Sequence, residues 1–105
     1  MRTIYIGGKE RPVYMNINAL SDFNEGTRTN LEWIFKVISK PMEMSMNEVR
    51  WLVFAGLKHG AIESKINVDF DVNQVGRWLN DEFDKLPLFL QALAETMPFS
   101  DAKKK

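Results

Sequence analysis

The segment Ser45 to Gly60, SMNEVRWLVFAGLKHG, constrains this chain more than any other. Ser45 followed by Glu48 is a capping box: the serine hydroxyl accepts from the N–H three residues on, and the glutamate reaches back to the serine N–H. Lys58, His59 and Gly60 supply a matching stop, with basic side chains in the last turn and a glycine able to turn left-handed. At about 100° per residue, Val49, Leu52, Val53, Gly56 and Leu57 fall on one arc. The far side is mixed, with Trp51, Phe54 and Ala55 among Asn47, Arg50 and Lys58. A helix apolar on two sides is either covered on both by its own chain, or covered on one and offered to a partner on the other.

The flanking sequence supplies elements to pack on this helix. Thr3 to Ile6 and Val13 to Ile17 read as short strands, joined by turn chemistry from Gly7 to Pro12. Val13, Met15 and Ile17 would share one face. Asn18 is placed to cap a short helix carrying Ala19, Leu20 and Phe23 and ended by Gly26. Thr29 or Asn30 caps the next, with Leu31, Ile34, Phe35 and Ile38 at helical spacing and Pro41 closing it. The methionines around Met42 and Met44 suit gap-filling core, or an adaptable binding surface. Ala61 to Phe70 reads as an extended loop or a brief third strand. Asp71 caps a helix with the face Val72, Val75, Trp78, Leu79 and Phe83. Pro87 sits in the first turn of a last helix bearing Leu86, Phe89, Leu90, Leu93 and Met97, ended by Pro98. The expected class is α+β, mostly α: an N-terminal β-hairpin packed on a compact bundle of about five helices. Residues 1–99 would form one globular domain, with 100–105 a flexible basic tail.

Composition narrows the function. With 105 residues the chain has room for one core, and 45% hydrophobic with 27% charged residues is ordinary globular usage. Fourteen basic and fourteen acidic side chains cancel, which argues against non-specific nucleic-acid binding as the main role. The absence of cysteine excludes disulfides, thiol catalysis and thiolate zinc sites. The sequence shows neither a signal-peptide pattern nor a run long enough to span a membrane, so the expected location is the cytoplasm.

No catalytic or metal pattern stands out. His59 is the one histidine and reads as a dipole-compatible helix cap. Asp69, Asp71, Asp81, Glu82 and Asp84 form the densest acidic cluster, but the glycine and bidentate glutamate of a calcium loop are missing. Gly7-Gly8-Lys9 lies between strands, unlike a P-loop. The last two helices could mimic a helix-turn-helix, yet Leu88 to Met97 offers no Arg or Lys to read DNA. Neither a metal nor a cofactor is expected, and the chain does not read as an enzyme. The better candidates are Trp51, Phe54 and Trp33, large aromatics off the expected apolar stripes and thus candidate partner-binding residues.

Four blocks in a fixed order carry a family resemblance. They are Ile6-Gly7-Gly8-Lys9 followed by Val13-Tyr14-Met15-Asn16; the stretch Asn18 to Gly26; Leu52-Val53-Phe54-Ala55-Gly56-Leu57-Lys58-His59-Gly60; and Val75-Gly76 behind acidic residues. Together they span most of residues 4–83, and the chain resembles the tail assembly chaperones of long-tailed bacteriophages and prophages. The resemblance implies a protein of the bacterial cytoplasm that binds the tape measure protein, keeps it soluble and helps recruit the tail tube protein, with homo-oligomerisation left open. Many members of that family also have a longer frameshifted product, with which Lys103-Lys104-Lys105 is compatible. Trp51 and Phe54 depart from the aliphatic or tyrosine residues expected in the central block. The competing class is a small regulatory or structural protein-interaction domain, including a nucleic-acid-binding regulator.

Overall fold

The capping box forms in the computed structural model and starts the longest helix. Ser45 Oγ accepts from the Glu48 N–H at 3.1 Å, and Glu48 Oε1 accepts from the Ser45 N–H at 2.8 Å. The structure describes residues 1–40 and 43–98, with backbone alone at 37–39. Within these residues the elements are β1 (Arg2–Ile6), β2 (Lys9–Val13), α1 (Ile17–Thr27), α2 (Leu31–Ser39), α3 (Met46–Glu63), α4 (Val72–Asp81) and α5 (Leu86–Glu95), with a 3-10 turn (Phe83–Lys85) leading into α5. The class is the expected one, an N-terminal hairpin packed on five helices. The expectations for Pro41, Met42 and the tail fall outside the described residues.

The hairpin is tighter than the sequence suggests. Ile6 pairs with Lys9 and Arg2 with Val13, so Gly7-Gly8 alone makes the turn. Both glycines have positive φ, 64° and 87°, the geometry of a two-residue hairpin whose twist matches its strands. The second strand therefore begins at Lys9, not Val13. Counted from the turn, Pro12 falls at a non-hydrogen-bonded pair opposite Thr3, where a missing N–H costs the ladder nothing. Ile4, Ile6, Val13 and Met15 are buried, but Ile17 is not on their face. Asn16, rather than Asn18, caps α1 through its side-chain oxygen and the Ala19 N–H, at 2.8 Å, so Ile17 opens the helix and is exposed.

Two glycines expected to stop helices instead lie inside them. α1 runs past Gly26 to Thr27 and ends where Arg28 turns left-handed. A Cβ at Gly26 would strike the Trp51 indole. Likewise α3 runs past Gly60 to Glu63, with Ser64 as its cap and Lys65 left-handed beyond it. A Cβ at Gly60 would strike the Pro12 carbonyl. Both glycines are present for close approach, and the helices end where other residues end them.

The remaining elements follow local signals with two adjustments. Asn30 caps α2 and Asp71 caps α4, whereas 66–71 forms neither helix nor strand. On α2, Ile34 is buried and Trp33 turns inward, leaving Leu31 and Phe35 exposed. On α4, Val75 and Leu79 are buried, but the helix ends at Asp81 and the 3-10 turn carries Phe83 out to 56% exposure. In α5, Pro87 lies in the first turn and the helix closes at Thr96, two residues before Pro98. Phe89, Leu93 and Met97 bury against β1 and α3.

α3 carries the core. Val49, Leu52, Val53, Gly56 and Leu57 are buried as expected, and so is Ala55. The segment leaving β2 lies along it: the Tyr14 N–H donates to the Gly56 carbonyl at 3.0 Å, while the Met15 N–H donates to the buried Thr96 hydroxyl at 2.8 Å. Gly60→Ala forces a methyl against fixed backbone and is expected to cost about 2–3 kcal/mol or more. Urea unfolding checks this, and an unchanged midpoint would show that β2 can be displaced freely.

Candidate functional site

Trp51 and Phe54 belong to a belt of rings that crosses the molecule. The Trp51 ring lies over Gly26, tying α1 to α3. Trp51 meets Phe54 edge-on at 5.5 Å between centroids, Phe54 meets Phe70 edge-on at 6.0 Å, and Phe70 meets Trp78 at 5.6 Å. These are the separations at which aromatic pairs attract, each worth about 0.5–1.5 kcal/mol beyond area burial. The belt ends at the hairpin. Trp78 covers Gly7, where a Cβ would collide with the indole, and the Arg11 guanidinium carbon stands 4.3 Å from the Trp78 ring and 5.5 Å from that of Phe70. Arg11 is held there by the Ile6 and Gly7 carbonyls, at 2.8 and 3.2 Å. All four rings are half-buried, packed against the core on one side and open on the other.

Trp33 is apart from the belt. Its ring sits 4.3 Å from that of Phe23, and its Nε1–H donates to Glu48 Oε2 at 2.6 Å. Glu48 thus uses one carboxylate oxygen to cap α3 and the other to hold α2. The three sequence candidates therefore do not form one patch: Trp51 and Phe54 share the belt, and Trp33 anchors α2 near the start of α3.

Sequence reasoning missed Arg11, Phe70 and Asp22. Phe70 had an available signal, since it occupies the position before the Asp71 cap, where an apolar residue often folds back onto the helix. Asp22 had none. It lies on α1, and its Oδ2 accepts from both Lys58 Nζ at 2.9 Å and His59 Nε2 at 2.7 Å. His59 is therefore a buried side chain paired across two helices, not a cap at a helix end. Burial pushes the Asp22 carboxyl up, but hydrogen bonds from His59 and Lys58, reinforced by their charges, prevail and hold it below its ordinary value. Among the described residues no cluster of acidic and histidine side chains is arranged to hold a metal ion.

A separate apolar groove of about 320 Å³ lies between the start of α3, α4 and the approach to α5. Met46, Leu79, Phe83 and Leu86 line it together with Gly76 and Arg50. The Arg50 guanidinium is held by the side-chain oxygens of Asn47 and Asn73, each at 3.0 Å. No helix among the described residues is long and apolar enough to cross a membrane. The chain matches no protein-family model, no curated protein and no solved structure.

The Asp22 pair gives a pH-dependent expectation. A carboxyl whose folded-state value is depressed stabilises the fold above its unfolded-state value, and that contribution disappears as pH falls through the folded-state value. Asp22→Asn is expected to lose on the order of 1–2 kcal/mol at pH 7 by urea unfolding. Its deficit relative to wild type should shrink below about pH 4. A deficit of equal size at pH 7 and pH 3 would mean that shape, not charge, makes the contact.

Proposed function

We propose that this chain is a non-enzymatic phage tail assembly chaperone, binding an elongated tape measure protein and assisting assembly of the tail tube in the bacterial cytoplasm. The reading is carried by the ordered resemblance of the Ile6–Lys9, Asn18–Gly26, Leu52–Gly60 and Val75-Gly76 blocks. Its support is that these blocks pack on one another. The Gly7-Gly8 turn lies beneath Trp78, α1 docks on α3 through Gly26, and the block in α3 contains the two glycines against which β2 and α5 rest. A resemblance distributed over mutually packed segments concerns a whole fold rather than four separate local preferences.

The surface chemistry suits a holdase. Exposed Leu31, Met46, Phe83 and Leu88 offer apolar area on several sides, and methionine adapts to varied partners. Trp33, Trp51 and Phe54 are the proposed client contacts. Their inner edges are fixed by intramolecular packing, so their outer edges are ordered before a client arrives and little further entropy is lost on binding. Co-expression with a phage tape measure protein is expected to keep that client soluble and to yield a complex that co-purifies. Phe54→Gln should weaken the complex about tenfold or more while the far-UV spectrum stays helical. A client that remains insoluble and fails to co-purify would sink the reading.

A further inference from the structure

The hairpin has two edges, and they differ. In an antiparallel pair, residues at non-hydrogen-bonded positions aim their N–H and C=O groups away from the partner strand. Counted from the Gly7-Gly8 turn, those residues are Glu10 and Pro12 on β2, and Thr3 and Tyr5 on β1. The β2 edge is closed, because Pro12 has no N–H and its carbonyl lies against Gly60 of α3. The β1 edge is open. Thr3 and Tyr5 are exposed, and among the described residues their outward N–H and C=O groups have no hydrogen-bond partner. β1 contains no proline and pairs without a bulge, so the usual devices that blunt an edge are missing from it.

The space beside this edge is a groove of about 310 Å³ between β1 and α5. Thr3 and Tyr5 line it from the strand, and Leu88, Gln91 and Ala92 line it from the helix. Leu88 is 65% exposed. Its charge is one-sided: Arg2 and Lys85 line it and no carboxylate does. Each cation also contacts a glutamate of its own chain, Glu95 and Glu82 respectively, yet stays about half exposed, and neither glutamate lines the groove. The Arg2–Glu95 pair sets the end of α5 beside the start of β1, so Lys85, just before α5, lies toward the other end of the strand.

Unpaired main-chain donors and acceptors at strand spacing select an extended polypeptide, and the lining selects its side chains. We propose that the β1 edge binds an extended acidic segment of a partner protein as a third, antiparallel strand. Residues opposite Thr3 and Tyr5 each exchange both main-chain hydrogen bonds with them. The residue between, opposite the buried Ile4, points its side chain to the face of Ile4, toward Leu88 and Ala92, and is apolar. Acidic residues two positions to either side meet Arg2 and Lys85. A second copy of this chain fits less well: paired about a two-fold axis with Ile4 facing Ile4, it brings Arg2 of each copy toward Lys85 of the other. The groove does not include Trp33, Trp51 or Phe54, so the proposal stands apart from the client contacts above.

The test is an NMR titration of the isotope-labelled chain with the end-capped peptide Ser-Glu-Thr-Ile-Thr-Glu-Ser, from about 10 μM to about 1 mM. The Thr3 and Tyr5 amides should exchange freely with water in the chain alone and become protected, with shifted resonances, as peptide is added. Those of Ile4 and Ile6, already bonded to β2, should be protected throughout. Thr3→Pro removes an outward N–H without touching the β1–β2 ladder, and Leu88→Glu changes an exposed position. Each should weaken binding about tenfold or more with the helical spectrum retained. Methylating the backbone nitrogens of the peptide's two threonines should abolish binding. Replacing its glutamates by lysine should weaken binding by a factor that shrinks at high salt. The proposal is overturned by unchanged Thr3 and Tyr5 amides at the highest peptide concentration, by a methylated or lysine peptide that binds as well as the parent, or by affinity indifferent to Thr3→Pro and Leu88→Glu. Sedimentation velocity showing that copies of the chain pair through this edge without peptide would also overturn it.

Discussion

The structure depends on main chain lying directly against main chain where the segment after β2 crosses α3. Gly56 and Gly60 remove two side chains from one face of that helix, and the strand end settles into the space. The Pro12 carbonyl takes the position a Cβ would occupy at Gly60, and the Tyr14 N–H reaches the Gly56 carbonyl. A two-stranded hairpin is marginal alone. Here its buried face gains a helix to lie on, and the polar groups of the departing chain find acceptors on α3 and on Thr96. Because Leu93 fills the space over Gly56, α5 is seated by one of the same two absences.

The opposite side of α3 is closed differently. There the rings of Trp51, Phe54, Phe70 and Trp78 run from α1 across α3 to α4 and finish under Arg11 of the hairpin. The belt joins segments whose local connections are loops, and Arg11 ties its end to the turn carbonyls. The central helix is thus held by backbone approach on one side and by ring edges on the other. This explains how a helix with apolar residues nearly all round sits in a chain of this size.

What could be read from sequence was what local chemistry decides. Ser45 with Glu48, Asn30 and Asp71 cap helices because a side-chain oxygen reaches an N–H three residues away, whatever the fold around it. Gly26 and Gly60 were illegible for the converse reason. Glycine marks both a helix stop and a close approach, and the approaching groups, Trp51 and Pro12, lie far off in the chain. Asp22 and His59 are 37 residues apart, and no periodicity connects them. The candidate rings were half legible. Their spacing shows that Trp51 and Phe54 leave the main apolar arc, but the identity of the neighbours, Phe70 and Gly26, depends on how the helices cross.

Glu48 carries a consequence beyond its local role. Its two oxygens serve different tasks, one completing the capping box at Ser45 and the other accepting the Trp33 indole N–H. The start of α3 and the seating of α2 are therefore coupled through one side chain. Fraying of the first turn of α3 withdraws the anchor of α2, and detachment of α2 leaves the cap residue less firmly placed. Segments joined by a loop can open separately; a shared carboxylate ties the opening of one of these helices to the other.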